Sequence, residues 1–313
     1  EEALLRYVSR EASAERVFLD GSRYPAAAPA VPDYAEYFAG LPEAWRPAAS
    51  VVAVASRGCH YGRCVFCAQN LEPGCEVYPA DWVRACLGQL LSRHGRRRVE
   101  FADTAFPVNL LDPDQEEGLG REATGMFAEF TTGLSERQFD RLRRAGFDTI
   151  QVGIESFHSR ALRRMGKPAD LLTNVQCLKR AYERGIEVGY NLILDFPSTT
   201  PADLEAMLDL LPLLFHLPPP TALVPFQLQY RAPILAQAGA YGLTDIRPHR
   251  HYRWLDARFE AGELAPFYLE FHNRAPLPTR LLEQVHGLCV RWHERYGAGD
   301  ALLHVQPSEN GRL

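Results

Sequence analysis

Strand patterns and helical patterns alternate through most of this 313-residue chain, and the alternation limits the folds open to it. Short apolar runs rich in β-branched and aromatic residues indicate six strands, with segments of helical apolar spacing between them. Such alternation favours parallel strands joined by helical crossovers. We therefore predict an α/β fold, a partial (β/α)6 TIM-type barrel that is open on one side. Its predicted strands are residues 51–55, 99–102, 125–131, 149–154, 188–194 and 223–228.

Helix start and stop signals support the crossovers. Residues 81–93 and 171–183 carry apolar side chains close to helical spacing. Ser135, with Gln138 three residues later, predicts a capping box, and Gly146 predicts the end of the same helix. These signals favour helices that are long enough to return the chain from one parallel strand to the next.

The predicted domain organisation has three parts. Residues 1–48 form an N-terminal extension or linker, residues 49–247 form the barrel, and residues 248–313 form a helical C-terminal cover. Residues 26–32 are rich in proline and alanine, as is typical of a linker. The alternation stops after residue 248, and residues 279–296 have the apolar spacing of an amphipathic helix.

Composition excludes several classes of protein. Hydrophobic residues make up 46% and charged residues 23% of the chain, which is ordinary for a soluble globular protein. The net charge of −5 gives no reason to expect a nucleic-acid partner. The sequence shows no signal-peptide pattern and no apolar stretch of transmembrane length. We therefore expect no membrane partner and a cytoplasmic location.

Three of the seven cysteines lie in one short run, in which Cys59, Cys64 and Cys67 are spaced C-x4-C-x2-C directly after the first predicted strand. Three thiolates on one loop can hold three irons of a [4Fe–4S] cluster and leave the fourth iron open. Barrel enzymes carry their reactive groups on the loops that follow the strands. The alternative is a structural zinc site, completed by Cys75 or His60, in a zinc-stapled binding protein.

The cysteine run resembles the radical S-adenosylmethionine (SAM) superfamily, because an aromatic residue precedes the last cysteine of its C-x2-C. The first gap has one residue more than is usual there. Residues 150–156, Ile-Gln-Val-Gly-Ile-Glu-Ser, resemble the fourth-strand motif of cobalamin-linked members. Within these, residues 191–197 and the helical residues 174–186 resemble the group that matures ribosomal peptide natural products (RiPPs). The resemblance runs from about residue 32 to about residue 252.

The resemblance implies roles for eleven residues. Three cysteines ligate the cluster, five residues bind SAM or pack near it, and three polar residues serve the substrate or the reaction. The cluster ligands are Cys59, Cys64 and Cys67. The SAM residues are Phe66, Gln151, Glu155, Asn191 and Asp195. The third set is Asp103, Glu129 and Tyr230.

Several of these roles have structural alternatives. Phe66 can pack in the core instead of beside the adenine of SAM, and Glu155 can pair with a nearby cation instead of binding the ribose hydroxyls. Gln151 can form a hydrogen bond inside the barrel, and Asn191 can cap the end of a strand. Asp195 replaces a glycine of the group at the end of the fifth strand, where the backbone usually passes close to the adenine of SAM.

The function that the resemblance implies is C-methylation of a peptide or small natural product, with a [4Fe–4S] cluster, SAM and cobalamin. Flavodoxin or ferredoxin is the implied electron donor. Residues 1–5 resemble the last helix of a cobalamin-binding domain, and a remnant of that domain is expected there. The alternative activity needs no cobalamin and transfers the 3-amino-3-carboxypropyl group of SAM to a small nucleophile. The longer cysteine gap and Asp195 favour this alternative because both alter how SAM is positioned.

Overall fold

The computed structural model describes residues 30–71, 75–111, 119, 122–255 and 266–299. Contacts divide the chain into two compact units, residues 1–31 and residues 32–313, and every described helix and strand belongs to the second unit. The expectation for residues 1–5 lies outside the described residues. The predicted domain boundaries after residues 48 and 247 stay predictions.

The strands belong to four sheets. In chain order they are β1 (Val51–Ala53), β2 (Ser56–Arg57), β3 (Glu76–Val77), β4 (Arg98–Phe101), β5 (Gly125–Phe130), β6 (Phe147–Val152), β7 (Glu187–Gly189), β8 (Asn191–Ile193), β9 (Ala222–Val224), β10 (Leu228–Gln229), β11 (Leu243–Pro248) and β12 (Tyr268–Asn273). The largest sheet is parallel and has the order β1-β4-β5-β6-β7.

The described α-helices lie mostly between the parallel strands. They are α1 (Ala35–Gly40), α2 (Ala80–His94), α3 (Glu136–Ala145), α4 (Ser159–Arg164), α5 (Leu171–Glu183), α6 (Pro201–Leu210), α7 (Tyr252–Leu255) and α8 (Thr279–Gly297). None of them is both long and apolar enough to cross a membrane.

The partial barrel is confirmed. β8 follows β7 after a break at Tyr190 and pairs in parallel with β9. A single bridge between Glu155 and Leu192 ties β8 to the chain that follows β6. The five-stranded sheet and the β8–β9 pair thus supply the six predicted parallel strands. Among the described residues β1 and β9 do not pair, so the barrel is open on one side.

The predicted helix ends are also confirmed. The side chain of Ser135 accepts a hydrogen bond from the backbone N–H of Gln138, whose own side chain bonds back to the N–H of Ser135. This capping box satisfies two backbone donors at the start of α3. Gly146 ends the helix in a left-handed conformation with φ of 104°. α5 covers residues 171–183, as the sequence predicts.

A three-stranded antiparallel sheet, β10-β12-β11, was not predicted. The predicted sixth strand, residues 223–228, is divided between two sheets. Its first part belongs to β9 in the barrel, and Leu228 begins β10 in the antiparallel sheet. Pro225 lies between the two parts and has no N–H to donate to a ladder, which explains the break. α8 then packs on the barrel, and the buried Trp292 indole donates to the carbonyl of Leu217 at 2.8 Å.

Side chains of the parallel strands alternate between two environments. Glu129 on β5 pairs in register with Gln151 on β6, and their neighbours Ala128 and Ile150 pair likewise. Ala128 and Ile150 are fully buried, whereas Glu129 and Gln151 are partly exposed and line a cavity. Because the side-chain period of a strand is two, one face supplies the core and the other supplies the site.

Candidate active site

A cavity of about 400 Å³ lies at the carboxyl ends of the parallel strands. The loop after β2 contributes its three cysteines, Cys59, Cys64 and Cys67, to the cavity wall. Polar side chains from three strands of the barrel, β5, β6 and β8, also line the wall: Glu129, Gln151 and Asn191. The cavity therefore joins a thiol-rich loop to the polar face of the barrel, which is where barrel enzymes place their chemistry.

Hydrogen bonds from distant parts of the chain hold the cysteine loop in place. The hydroxyl of Tyr61 donates to the carbonyl of Gly166 at 2.6 Å. The N–H of Val65 donates to the carbonyl of Met165 at 3.0 Å, and the N–H of Ile234 donates to the carbonyl of Val65 at 2.7 Å. The loop is thus bound to the segment after α4 on one side and to the segment after β10 on the other.

Aromatic packing adds to this attachment. Phe66 meets Phe196 edge to face, with ring centroids 6.3 Å apart. Phe66 also packs against a buried cluster that includes Phe226 and Leu228, between the barrel and the antiparallel sheet. Phe66 thus packs on the core, as its structural alternative expects, and also lines the cavity, while its place beside the adenine of SAM stays a prediction.

Asp103 fixes the start of the cysteine loop. The residue is buried, with only 3% of its surface exposed. One oxygen accepts from the Ser56 hydroxyl at 2.6 Å, and both accept from the N–H of Ala55, at 3.0 and 3.1 Å. Burial raises the pKa of Asp103, although these hydrogen bonds oppose the rise. These contacts give Asp103 a positioning role, in which its carboxylate links the end of β4 to the chain entering the cysteine loop.

Glu155 forms an ion pair with Lys167 inside the cavity, with Oε1 and Nζ 3.4 Å apart. The two side chains are only 17% and 10% exposed. Glu155 has a left-handed backbone with φ of 59°, an uncommon conformation for a non-glycine residue that often marks a functional site. Its N–H and carbonyl both bond to β8, which holds this conformation in place.

Gly153 leaves room for the ion pair. A Cβ at Gly153 would lie 2.6 Å from Nζ of Lys167 and 3.1 Å from Oε1 of Glu155. A larger residue would therefore displace at least one member of the pair. The close approach of these two side chains explains why the fourth-strand motif has a glycine at position 153.

Glu129 carries the third carboxylate of the cavity wall, after Asp103 and Glu155. Burial raises its pKa, and the negative charge of Glu155 raises it further. The two glutamates share a cavity with one ammonium group, that of Lys167. This excess of acidic groups favours a positively charged ligand.

The residues present fit a [4Fe–4S] cluster. Burial raises the pKa of the Cys64 thiol to about 11 and also raises the pKa of Cys67, while the nearby Lys167 ammonium opposes both shifts. Among the described residues, no three His, Cys, Asp or Glu side chains converge on a point suitable for one metal ion. A zinc ion needs such convergence, whereas each thiolate of a cluster binds a different iron.

Nine of the eleven predicted site residues line this cavity, and Asp195 and Tyr230 do not. Asp195 accepts a hydrogen bond from the N–H of Phe226 at 2.6 Å and so joins β8 to the chain after β9. Tyr230 lines a neighbouring cavity. The catalytic and binding roles of all eleven residues stay predictions.

The sequence analysis missed Lys167 and Tyr61 as site residues. Lys167 follows the arginine-rich helix α4, and no residue pattern around it predicts that it faces a site. The sequence feature that could have predicted its position is Gly166, which has a positive φ just after that helix and comes directly before Lys167 in the cavity wall. Tyr61 lies inside the cysteine run itself and gave no separate pattern.

The sequence profile described as Radical SAM superfamily matches residues 54–211, which is half of the chain. The chain is also similar to a curated protein, "Uncharacterized methyltransferase PH0819" of Pyrococcus horikoshii, with 28% identity over 163 residues. That match covers 50% of this chain and 35% of the relative.

Two solved structures share the fold. One is the radical SAM methyltransferase TsrM of Kitasatospora setae, bound to its substrate tryptophan and a SAM analogue, with a TM-score of 0.58 and 16% identity over 80% of this chain and 54% of TsrM. The other is the cobalamin-dependent radical SAM enzyme OxsB with aqua-cobalamin bound, with a TM-score of 0.55 and 15% identity over 95% of this chain and 50% of OxsB. The chain thus spans about half the length of these structures and about a third of the curated relative.

Proposed function

The chain belongs to the radical SAM superfamily, and from this premise we propose that it is an enzyme that cleaves SAM reductively and transfers a methyl group to a small molecule or peptide. The superfamily implies a [4Fe–4S] cluster and SAM. Cys59, Cys64 and Cys67 would hold the cluster. The observation that carries the proposal is that these three cysteines share one cavity with polar side chains from three barrel strands.

The cluster, when bound, supplies the electron that breaks a sulfur–carbon bond of SAM. The chain's own residues prepare the site for this chemistry. Asp103 and Gly166 fix the cysteine loop, so the thiols meet a preformed wall. The Lys167 ammonium holds the Glu155 carboxylate at the end of the fourth barrel strand, from which it can accept hydrogen bonds from the SAM ribose. Glu129 adds negative charge that suits the sulfonium and ammonium groups of SAM.

Methyl transfer with cobalamin is supported by the relatives. The curated relative is named a methyltransferase, TsrM is a methyltransferase, and OxsB is described as cobalamin-dependent. A natural-product acceptor, a flavodoxin or ferredoxin as electron donor, and a cytoplasmic location complete the proposal. Transfer of the 3-amino-3-carboxypropyl group remains the second hypothesis, although Asp195 lies outside the cavity that would position SAM.

Anaerobic reconstitution of the full chain with iron and sulfide tests the proposal. Metal analysis should give four irons per chain, and dithionite with SAM should release nucleoside products. The variants C59A, C64A and C67A should each lose the cluster. C86A is the matched control, because Cys86 is buried in α2 and does not line the cavity.

The products distinguish the hypotheses. 5′-Deoxyadenosine with S-adenosylhomocysteine marks methyl transfer, and methylthioadenosine marks transfer of the larger group. A colourless protein that holds zinc and leaves SAM intact would contradict both and support the zinc-stapled binding protein. Cobalamin dependence is tested by adding hydroxocobalamin to the same reaction.

A further inference from the structure

A second cavity, of about 570 Å³, adjoins the thiol-lined cavity. The two share three wall residues, Gln69, Ala102 and Thr104. Its volume is in the range that holds a small organic molecule. A ligand in the second cavity would therefore meet a ligand in the first across this shared wall.

Two arginines from separate elements line the second cavity. Arg57 lies on β2, two residues before the first cysteine of the loop, and Arg231 lies two residues after β10. Neither guanidinium has an ion pair with any residue that the structure describes. Glu76 lies opposite Arg57 in the β2–β3 pair but does not come within ion-pair distance of it.

Arg231 also has an unusual backbone. Its φ of 68° is in the left-handed region, which costs an arginine conformational energy. Strain of this kind tends to persist where the surrounding structure fixes a residue for a purpose. The N–H of the preceding Tyr230 donates to the carbonyl of Phe267 at 2.7 Å, so the strained segment is held against the chain that enters β12.

The two cavities differ in charge. The thiol-lined cavity has three carboxyl groups, Asp103, Glu129 and Glu155, against the single ammonium of Lys167. The second cavity has the two guanidinium groups and no acidic residue among its described lining residues. A cationic ligand such as SAM suits the first, and an anionic ligand suits the second.

Apolar rings flank the arginines. Tyr230 and Phe267 line the second cavity and are 42% and 47% exposed, which is high for large apolar side chains. The N–H of Phe267 donates to the hydroxyl of Tyr252 at 2.9 Å. This hydrogen bond holds the backbone that carries the Phe267 ring. A planar or apolar group bound between these rings would cover surface that is otherwise in water.

We propose that the second cavity binds the acceptor substrate of the enzyme through a carboxylate held by Arg57 and Arg231, with an apolar group against Tyr230 and Phe267. Guanidinium groups bind carboxylates through paired, charge-assisted hydrogen bonds. The carboxylate end would lie among the arginines, and the rest of the molecule would extend to the shared wall. The assignment of this ligand as the acceptor rests on the proposed function, whereas the preference for a carboxylate does not.

Binding of three probes to the reconstituted protein tests the proposal. The probes are 3-phenylpropionate, its neutral amide 3-phenylpropionamide, and phenyl phosphate, and calorimetry measures each Kd. We expect the carboxylate to bind about tenfold more tightly than the amide. Equal affinities of these two probes in the unaltered protein would overturn the proposal, and so would tighter binding of phenyl phosphate.

Variants locate the binding site. R57Q and R231Q should each weaken binding of 3-phenylpropionate about tenfold and leave binding of the amide nearly unchanged. R137Q is the matched control, because Arg137 is an exposed arginine on α3 outside both cavities. Unchanged binding of the carboxylate to both R57Q and R231Q would also overturn the proposal. Binding of the amide reports whether each variant is folded.

SAM cleavage is measured separately in the unaltered protein. If SAM is cleaved but the probes show no arginine-dependent binding, this inference fails and the proposed function stands. If arginine-dependent binding is found but SAM is left intact, the proposed function fails and the carboxylate site stands.

Discussion

Gly166 lies so close to Arg63 that a Cβ on the glycine would be 2.6 Å from the arginine's carbonyl oxygen. Gly166 also has φ of 70°, a conformation that favours glycine. The backbone of the cysteine loop therefore rests directly on the turn after α4. This contact adds to the hydrogen bonds that hold the cysteine loop on the segment after α4.

The first prediction is that G166A disturbs the cysteine loop more than it disturbs the fold. The left-handed backbone alone should cost about 1–2 kcal/mol of unfolding free energy, and the contact with the carbonyl of Arg63 must also be relieved. Since a carbonyl on a packed loop cannot move without moving its neighbours, we expect iron content after reconstitution to fall by more than half. Iron analysis and denaturant unfolding measure the two effects.

G185A is the matched control. Gly185 has a similar φ of 62°, but nothing lies within 4 Å of the position its Cβ would take. It should therefore lose the same 1–2 kcal/mol, approximately, and keep its iron. If G166A and G185A hold equal iron, the cysteine loop does not depend on this contact.

Much of the fold is predictable from local sequence signals. The capping box at Ser135 and Gln138 involves residues three apart, so a short window of sequence contains all its information. The antiparallel sheet is different. β10 has only two residues, and its Leu228 pairs with Leu269, about forty positions away. A strand this short shows no alternation of apolar and polar residues from which it could be predicted. Long-range pairing of short strands is a tertiary property.

The same distinction applies to the site. The three cysteines could be predicted as site residues because they lie within nine positions of each other in the sequence. Glu155 could be predicted because it lies in a recognisable strand motif. Lys167 was missed because its role depends on where the chain turns after Gly166. Tyr230 lies outside the thiol-lined cavity because the break at Pro225 removes the later residues of the predicted strand from the barrel, and its role towards the substrate stays a prediction. The sequence therefore predicts site side chains on strands better than site side chains whose position depends on a turn of the chain.

The second prediction concerns the Glu155–Lys167 ion pair. E155Q and K167M should each lower the unfolding free energy, and the double variant should lose less than the sum of the two. Because both side chains are mostly buried, we expect a coupling energy of about 1 kcal/mol. Denaturant unfolding of the four proteins gives this value. A coupling energy near zero would mean that the pair contributes nothing to stability beyond its separate members.

The third prediction is a pH dependence that originates in Glu129. Its folded pKa is raised above the ordinary value of 4.5, mainly by burial and then by Glu155. At pH values between the unfolded and the folded pKa, the folded state binds more protons than the unfolded state, so Glu129 lowers stability as pH rises from about 4.5 through its folded pKa. E129Q should gain stability relative to the unaltered protein as the pH rises from about 4.5 through the folded pKa of Glu129, and the gain should then level off. Unfolding at a series of pH values measures the difference, and a constant difference would contradict the prediction.

The fourth prediction compares two ion pairs of different burial. The side chain of Asp203 is 4% exposed, and its carboxylate lies 3.1 Å from Arg160 and 3.3 Å from Arg164. Asp140 is 47% exposed and pairs with Arg184 at 2.7 Å. D203N removes the carboxylate that both arginines share, but their side chains are 46% and 30% exposed and water screens the charge that is left. D203N should therefore cost about 2 kcal/mol, whereas D140N should cost less than about 1 kcal/mol.

The pH dependence of D203N provides a further check on the same pair. Burial raises the pKa of Asp203, but hydrogen bonds from Thr200 and Arg160 outweigh it and the net pKa is lowered from 3.8. A lowered folded pKa gives stability that is present above the unfolded pKa and lost as the pH falls through the folded one. The difference in unfolding free energy between the unaltered protein and D203N should therefore shrink below about pH 4.

Because Asp203 holds α4 through Arg160 and Arg164, and the turn after α4 supports the cysteine loop, D203N should also reduce iron content, which D140N should not. Equal iron content in the two variants would show that the turn keeps its position without Asp203.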